Sequence, residues 1–340
     1  MEKIRFGIIG CGGMATNAHV VGFNKIADKC QVTATCDIEE DRAKNTAELL
    51  GAQFYTTDYK QVAEHVDAVL IALPHDLHHE VGMFFLSKGV HVLMEKPLCN
   101  TERECLDVIE EAEKRDLTLM CAYPVPFHDW VVKLKELIDS GEYGEIFQMS
   151  IWTEQYTDCE TFPWAKSAKR LGGGQLFSHG CHYIDLLLRF LGKPVSGTHF
   201  GTNKGTPWME KEGNSNVVMK FENGAMGYHF GTWGARGSSH GYDFQIFTDK
   251  GFFEYNKEKD TIIWKCDWDP NAKGPKIIEW KFDDNSKQTQ NEIEYFIDCI
   301  REHRKPMTDG RSALEGLRVI WKLYEAEENN TIADLRGLGF

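Results

Sequence analysis

A chain of 340 residues exceeds what one ordinary hydrophobic core organises, so two domains are expected. The composition, 42% hydrophobic and 26% charged with 31 Gly and 10 Pro, excludes a disordered, fibrous or coiled-coil chain. A formal net charge of −14 without a basic stripe argues against nucleic acid as a partner. No apolar run is long enough to cross a bilayer, and the first residues read as a strand rather than a secretion signal.

The first 122 residues alternate between two periods. Short apolar runs at Ile4–Ile9, Gln31–Cys36, Ala68–Ala72, Val90–Met94 and Leu117–Cys121 have strand length. Helical patterns lie between them, at Met14–Ile26, Glu39–Leu50, His78–Lys88 and Glu102–Arg115, the last capped by Asn100 or Thr101. Such alternation predicts a parallel, doubly wound sheet with helices on both faces, a Rossmann-type domain over residues 1–122. Beyond it the reading changes. A helix at Trp130–Ser140 and a strand at Ile146–Glu154 come first. From Gly197 to Trp280 consecutive strands follow, clearest at Val217–Phe221, Ala225–Thr232, Tyr242–Thr248, Gly251–Tyr255, Thr261–Lys265 and Ile277–Phe282. Helices at Thr289–Glu302 and Arg311–Glu327 close the chain, so residues 123–340 are expected to form an α/β domain on an open, largely antiparallel sheet.

Ten cysteines are sparse in a chain of this length. Cys11, Cys36, Cys105, Cys121, Cys181 and Cys299 sit inside apolar patterns, where cysteine behaves as a small buried hydrophobe. No CxxC pair supports a structural zinc, and a reducing cytoplasm is the expected location.

Gly10-Cys11-Gly12-Gly13-Met14-Ala15 follows the first strand and opens the first helix, a GxGxxA sequence in the context that gives it meaning. Gly10 permits the tight turn, Gly12 lets the backbone approach a pyrophosphate, and Ala15 lets helix and strand pack closely. The helix start supplies unpaired N–H groups for the anion. The second strand ends in Asp37, 27 positions after Gly10, where a carboxylate bonds the adenosine ribose hydroxyls and repels a 2′-phosphate. NAD is therefore expected over NADP, with Arg42 the one nearby residue suited to the latter.

Glu95-Lys96-Pro97 follows the fourth of these strands, and the ligand crevice of a doubly wound sheet lies beyond the carboxyl ends of its strands. Hydride removal from a secondary alcohol needs a group to take the hydroxyl proton, which a lysine does once its surroundings draw its pKa from about 10.4 toward neutrality.

Together the GxGxxA turn, the strand-end Glu95-Lys96-Pro97 and the segment Gly172-Gly173-Gly174-Gln175-Leu176-Phe177-Ser178-His179-Gly180-Cys181-His182-Tyr183-Ile184-Asp185 resemble the glucose–fructose oxidoreductase/inositol dehydrogenase (Gfo/Idh/MocA) family. The three motifs fall in family order, and the similarity spans nearly the whole chain. The resemblance implies a Rossmann domain joined to an open-sheet α/β domain, acting on sugars, cyclitols and their derivatives. By the same resemblance Lys96 matches the catalytic lysine, His182 the active-site histidine, and Pro74 and His78 the proline and histidine after the strand Ala68–Ala72. The expected cofactor contacts are Gly10, Gly12, Gly13, Met14 and Asp37 at the pyrophosphate and ribose, with Leu73, Pro74, His78, Glu95 and Lys96 toward the nicotinamide. There are departures. Ser178 stands where many members carry Asp, His75 where Asn is common, and Pro126 where many have Arg.

The segment from Gly174 also reads physically. Phe177, Cys181, Ile184, Leu188 and Leu191 form one apolar stripe, while Leu186, Leu187 and Phe190 extend it around the helix, which is expected to be buried. Ser178, His182, Asp185 and Arg189 make a polar stripe on that helix. A polyol would supply partners for Ser178 and His182, whereas Asp185 and Arg189, four apart, pair with each other. Substrate contacts are expected from Lys96, Tyr123, Tyr156, Trp164, Ser178, His179 and His182, since sugar sites set aromatic faces against C–H patches and polar groups against hydroxyls. Aromatics such as Trp152, Trp164 and Trp233 serve equally well to pack a sheet. His75, His78 and His79 lack a neighbouring carboxylate cluster, so no metal is expected.

The sequence therefore predicts an NAD-dependent dehydrogenase of a ring secondary alcohol on a sugar, glycoside or cyclitol, with ring C3 the position family analogy suggests. Two alternatives remain: an NAD-dependent glycosidase working by transient oxidation, elimination and re-reduction, outside two-carboxylate chemistry, and a non-catalytic NAD-bound sugar sensor. An open sheet with one face needing cover predicts a homodimer or homotetramer.

Overall fold

The computed structural model describes residues 2–238, 240–267, 274–284 and 286–339. By contacts the chain divides into two compact units, one of residues 1–127 with 287–314, the other of 128–286 with 315–340.

In the first unit six parallel strands, β1 (Ile4–Ile9), β2 (Cys30–Cys36), β3 (Phe54–Thr56), β4 (Ala68–Ile71), β5 (His91–Glu95) and β6 (Leu119–Ala122), form a sheet in the order β3-β2-β1-β4-β5-β6. Helices α1 (Val20–Lys25), α2 (Glu40–Leu50), α3 (His78–Ser87) and α4 (Glu102–Lys114) connect them. Continuous burial of β4 and β6 explains their unbroken apolar sequences: a parallel sheet covered on both faces has no polar side to alternate toward. Thr101 caps α4, its Oγ1 accepting the Glu104 N–H while Glu104 accepts the Thr101 N–H in return. The helix Thr289–Glu302 belongs to this unit's core, where Ile293, Phe296 and Ile297 pack with Phe6, Ile8 and Phe23.

The second unit is built on nine strands in the order β14-β13-β12-β11-β7-β10-β9-β8-β15. Helix α5 (Asp129–Asp139) precedes β7 (Ile146–Glu154); α6 (Ala168–Leu171) and α7 (Cys181–Leu191) follow it. Then come β8 (Pro194–Thr202), β9 (Asn214–Phe221), β10 (Met226–Thr232), β11 (Tyr242–Thr248), β12 (Gly251–Asn256), β13 (Thr261–Cys266) and β14 (Lys276–Lys281). The chain ends with α8 (Thr289–Glu302), α9 (Gly310–Glu328) and β15 (Ala333–Asp334). Every pairing in this sheet is antiparallel except β7 with β10, a long-range contact that consecutive strand patterns cannot reveal. One face is core, with Ile151, Val217, Met219, Phe244, Ile246 and Phe253 buried; the opposite face exposes Phe200, Val218, Met226 and Ile277.

The helical patterns expected from Met14 and from near Gly174 each begin with a π-helical turn, Ala15–His19 and Leu176–Gly180, before α1 and α7. Such turns concentrate at functional sites, and both lie in the motif segments.

Candidate active site

In the first unit the motif residues collect beyond the carboxyl ends of parallel strands. Gly10 follows β1, Asp37 follows β2, Leu73 and Pro74 follow β4, Lys96 follows β5 and Tyr123 follows β6. The sheet order reverses between β1 and β4, the switch point where such sheets bind ligands. Gly10 has φ +92°, and a Cβ there would lie 2.3 Å from the Ala72 carbonyl oxygen, so only glycine fits. Its N–H donates to the Cys36 carbonyl at 2.8 Å. Asp37, buried, accepts the Cys11 N–H on Oδ2 at 2.8 Å and the Glu39 N–H on Oδ1 at 2.9 Å, which ties the glycine turn to the start of α2. Around Gly12 nothing lies within 4 Å of a would-be Cβ, and at Gly13 only Asn17 does, so the backbone there is open to a close-approaching anion. Met14 is approached by Lys287 Nζ at 3.5 Å.

Glu95, the last residue of β5, is buried and bonded to His19 Nε2 at 2.6 Å, while its Oε2 accepts the Lys96 N–H at 3.1 Å. Burial pushes this carboxyl up, but the His19 bond and the neighbouring positive charges prevail and hold it below the usual glutamate value. Lys96 is half-buried, and its peptide bond to Pro97 is cis. His78 is wholly buried: Nδ1 faces the Pro97 carbonyl at 2.9 Å and Nε2 the Leu73 carbonyl at 3.0 Å. It thus links the loop after β4 to the loop after β5, and desolvation lowers its pKa. His75 is also buried, its ring 5.6 Å from that of His78, whereas His79 lies 3.2 Å from Asp107. Among the described residues no three His, Cys, Asp or Glu side chains gather to hold a metal ion. Tyr123 is only 1% exposed, a core side chain at its strand end.

The second unit gathers Ser178, His179 and His182 on the helix start. Ser178 and His182 are buried, and the His179 and His182 ring centroids are 5.9 Å apart. A directed chain runs through His179: Gln175 Nε2 donates to Nδ1 at 3.3 Å, Nε2 donates to the Tyr242 hydroxyl at 3.3 Å, and that hydroxyl donates to Gln155 Oε1 at 2.6 Å. Asp185 and Arg189 pair in bidentate fashion at 2.6 and 3.0 Å, so Asp185 is satisfied locally, as their spacing implies. Tyr183 stacks on His229, whose pKa burial drives down to about 3.

Two further aromatic candidates, Tyr156 and Trp164, also belong to the second unit. Tyr156 is half-exposed, carries Arg236 over its ring at 5.2 Å and pairs with Gly234. Trp164 packs with Trp233, Leu171 and Met209 in a small satellite core. His240 stacks on Trp152 and bonds Asp243.

Four participants escape sequence reasoning: His19, Glu292, Glu212 and Tyr324. Glu292 on α8 is fully buried, and neither carboxylate oxygen has a hydrogen-bond partner among the described residues. Desolvation, with the Glu95 charge adding to it, raises its pKa well above the ordinary value. Glu212 and Tyr324 surround the start of the histidine helix. No local pattern announces any of these, because the surroundings of each are set by long-range packing.

The family model described as "Oxidoreductase family, NAD-binding Rossmann fold" matches residues 4–123, and the "GFO/IDH/MocA C-terminal domain" matches residues 131–254. Among curated relatives, myo-inositol 2-dehydrogenase of Thermotoga maritima is 26% identical over 322 residues, covering 92% of this chain and 93% of its own. D-xylose 1-dehydrogenase (NADP(+)) 2 of Haloferax volcanii is 24% identical over 332 residues, covering 97% and 99%. In fold, levoglucosan dehydrogenase complexed with NADH and levoglucosan superposes with a TM-score of 0.89 at 18% identity, over 98% of this chain and 100% of that one. With both domain models matched in order on a Rossmann sheet and a nine-stranded partner sheet, the chain belongs to the Gfo/Idh/MocA family of oxidoreductases.

Proposed function

We propose that this chain is an NAD-dependent dehydrogenase that oxidises a ring secondary alcohol of a sugar, glycoside or cyclitol, with Lys96 and His182 handling the hydroxyl proton. The observation that carries the reading is the half-buried lysine one residue beyond a carboxylate that is itself fixed by His19, at the switch-point end of a sheet whose glycine turn is braced by Asp37. The relatives act on inositol and on xylose, and the superposable structure holds levoglucosan, all of them polyhydroxylated rings or ring-forming sugars.

The residues fit a dinucleotide. The bare backbone at Gly12 and Gly13 admits a pyrophosphate, with Gly10 closing the turn and Met14 at the helix start. Asp37 offers its remaining lone pairs to ribose hydroxyls and would repel a 2′-phosphate, which favours NAD over NADP. Leu73, Pro74 and Glu95 flank the nicotinamide end, and His78 holds the two loops that carry them. Bound NAD supplies the hydride acceptor.

Lys96 withdraws the hydroxyl proton as the C–H bond breaks, and Glu95 orients the lysine through its backbone N–H. His182 and Ser178 hydrogen-bond the reacting hydroxyl and its neighbour, and His179, whose two ring nitrogens are engaged by Gln175 and Tyr242, offers the substrate its ring. Tyr123 backs the strand-end wall, and Tyr156, half-exposed, and Trp164 offer aromatic surface to the substrate. The division of labour places cofactor binding in residues 1–122 and substrate binding in residues 123–340. The exposed apolar face of the nine-stranded sheet, with Phe200 70% and Ile277 57% exposed, supports a homodimer or homotetramer. No disulfide joins the ten cysteines, which suits a reducing cytoplasm.

The test is NADH absorbance with NAD and a panel of sugars, glycosides and inositols. Growth at 340 nm with one of them supports the reading. Silence from folded, NAD-binding protein overturns it, and product formed without net NADH identifies the transient-oxidation glycosidase instead.

A further inference from the structure

The helix that carries Ser178, His179 and His182 begins without an ordinary cap. Its first internal bond is Ser178 N–H to the Gly174 carbonyl at 3.0 Å, which leaves the four preceding N–H groups needing acceptors. All four are taken by two residues distant in sequence. The Gly174 and Phe177 N–H groups donate to the Tyr324 hydroxyl, each at 3.2 Å. The Gln175 N–H donates to the Glu212 carbonyl at 2.8 Å and the Leu176 N–H to Glu212 Oε1 at 3.3 Å. Tyr324 then donates its own proton to Glu212 Oε1 at 2.6 Å, closing the network.

The sequence is shaped to admit this clamp. A Cβ on Gly174 would sit 2.1 Å from the Glu212 carboxyl, so the last glycine of the Gly172-Gly173-Gly174 run is what lets a carboxyl lie against the helix start. The groups facing Glu212 are Tyr324 and Glu327 from α9 and, through Glu327, His199 of β8, which is bonded to Glu327 at 2.6 Å and to Ser215 at 3.0 Å.

We propose that Glu212 and Tyr324 are positioning residues for the reaction: by holding all four leading N–H groups they fix the first turn of the histidine helix and with it the aim of Ser178 and His182 at substrate. The proposal rests on His182 being the active-site histidine, as read above. It adds a proton-sensitive element as well. Burial lifts the Glu212 carboxyl to about 7, against the pull of the Tyr324 and Leu176 bonds and helped by the Glu327 charge. Once ionised, Glu212 strengthens both bonds it accepts and sets a negative charge at a helix N-terminus, so the clamp tightens as pH rises through neutrality.

Two variants separate positioning from bulk stability. Tyr324→Phe removes the oxygen that two N–H groups share; Glu212→Gln keeps an acceptor and loses only the titration. The His182 C2–H resonance, identified among the 13 histidines by its loss in His182→Gln, is followed from pH 5 to 9 in each protein, with near-UV circular dichroism reporting the fold. We expect the wild-type His182 signal to follow the Glu212 transition near pH 7 and to lose that transition in Glu212→Gln. We also expect a displaced His182 signal in Tyr324→Phe, with kcat on the substrate found in the panel reduced roughly 10- to 100-fold and affinity for NAD unchanged. A folded Tyr324→Phe with wild-type His182 signal and kcat overturns the proposal, as does persistence of that transition in Glu212→Gln. Should Tyr324→Phe not fold, the Glu212→Gln titration decides alone. If no sugar is oxidised by the wild type, the dehydrogenase reading fails by itself, and the resonance measurements still decide the positioning role.

Discussion

Asp37 and Cys11 are joined by a 2.8 Å bond from the Cys11 N–H to the Asp37 carboxylate, which places the end of β2 under the glycine turn after β1. The carboxylate is thus part of the turn's architecture before any ribose reaches it. Removing it leaves the Cys11 N–H, in a buried setting, without its acceptor, a cost of about 1–3 kcal/mol. Asp37→Ala should therefore weaken NADH binding by one to two orders of magnitude and narrow the preference for NADH over NADPH. Fluorescence titration with both nucleotides checks this; undiminished NADH affinity would remove Asp37 from cofactor recognition.

The buried His19–Glu95 pair yields a stability prediction. Glu95 has a folded pKa held below its unfolded value, so its contribution is present above the unfolded pKa near 4.5 and is lost as pH falls through the folded value. His19→Ala leaves the carboxylate buried without its ring partner and should cost about 3–5 kcal/mol at pH 7. Adding Glu95→Gln to His19→Ala removes the stranded charge and should recover much of that loss. Urea unfolding of the two variants measures both steps, and equal stability of the single and double variants would contradict the assignment.

Lys96 is separable from cofactor binding. Lys96→Ala should lower kcat by about 10²–10⁴-fold, the range of a lost general base, while NADH binding stays close to wild type. Steady-state rates on the substrate found in the panel, set beside a fluorescence titration, make the comparison. Unchanged turnover would take Lys96 out of the proton transfer.

How far the sequence reaches depends on whether the decisive partners are neighbours along the chain. The strands and helices around Gly10, Asp37 and Lys96 were legible because a buried parallel sheet leaves continuous apolar runs, and the turn chemistry sits within a few residues of each run. The pairing of Asp185 with Arg189 was legible for the same reason, since four residues make one helical turn. By contrast, β3 is a three-residue edge strand with no alternation to read. The parallel contact of β7 with β10, the clamp of Glu212 and Tyr324 on Gly174, and the approach of His19 to Glu95 join segments 76 or more positions apart in most cases, and none leaves a local pattern. The packing of Trp164 against Trp233 and Leu171 likewise depends on tertiary contacts that no local pattern carries.

Glu292 gives the last prediction. Neither oxygen finds a donor among the described residues, the side chain is wholly buried, and Glu95 contributes a like charge, so the carboxyl is held in its neutral form at pH values where a free glutamate is ionised. With the folded pKa raised, the native state binds more protons than the unfolded chain above about pH 4.5. The stability tied to this group is therefore complete below that pH and declines steadily as pH rises toward the folded value. Glu292→Gln keeps the shape and removes the ionisable proton. It should match wild type at pH 4 and exceed it at pH 8, the gap widening by up to about 1.4 kcal/mol for each pH unit crossed. Chemical unfolding at the two pH values reads the difference. A constant offset between the proteins across that range would mean that Glu292 is ionised in the native state, and the description of this carboxyl as neutral would fall.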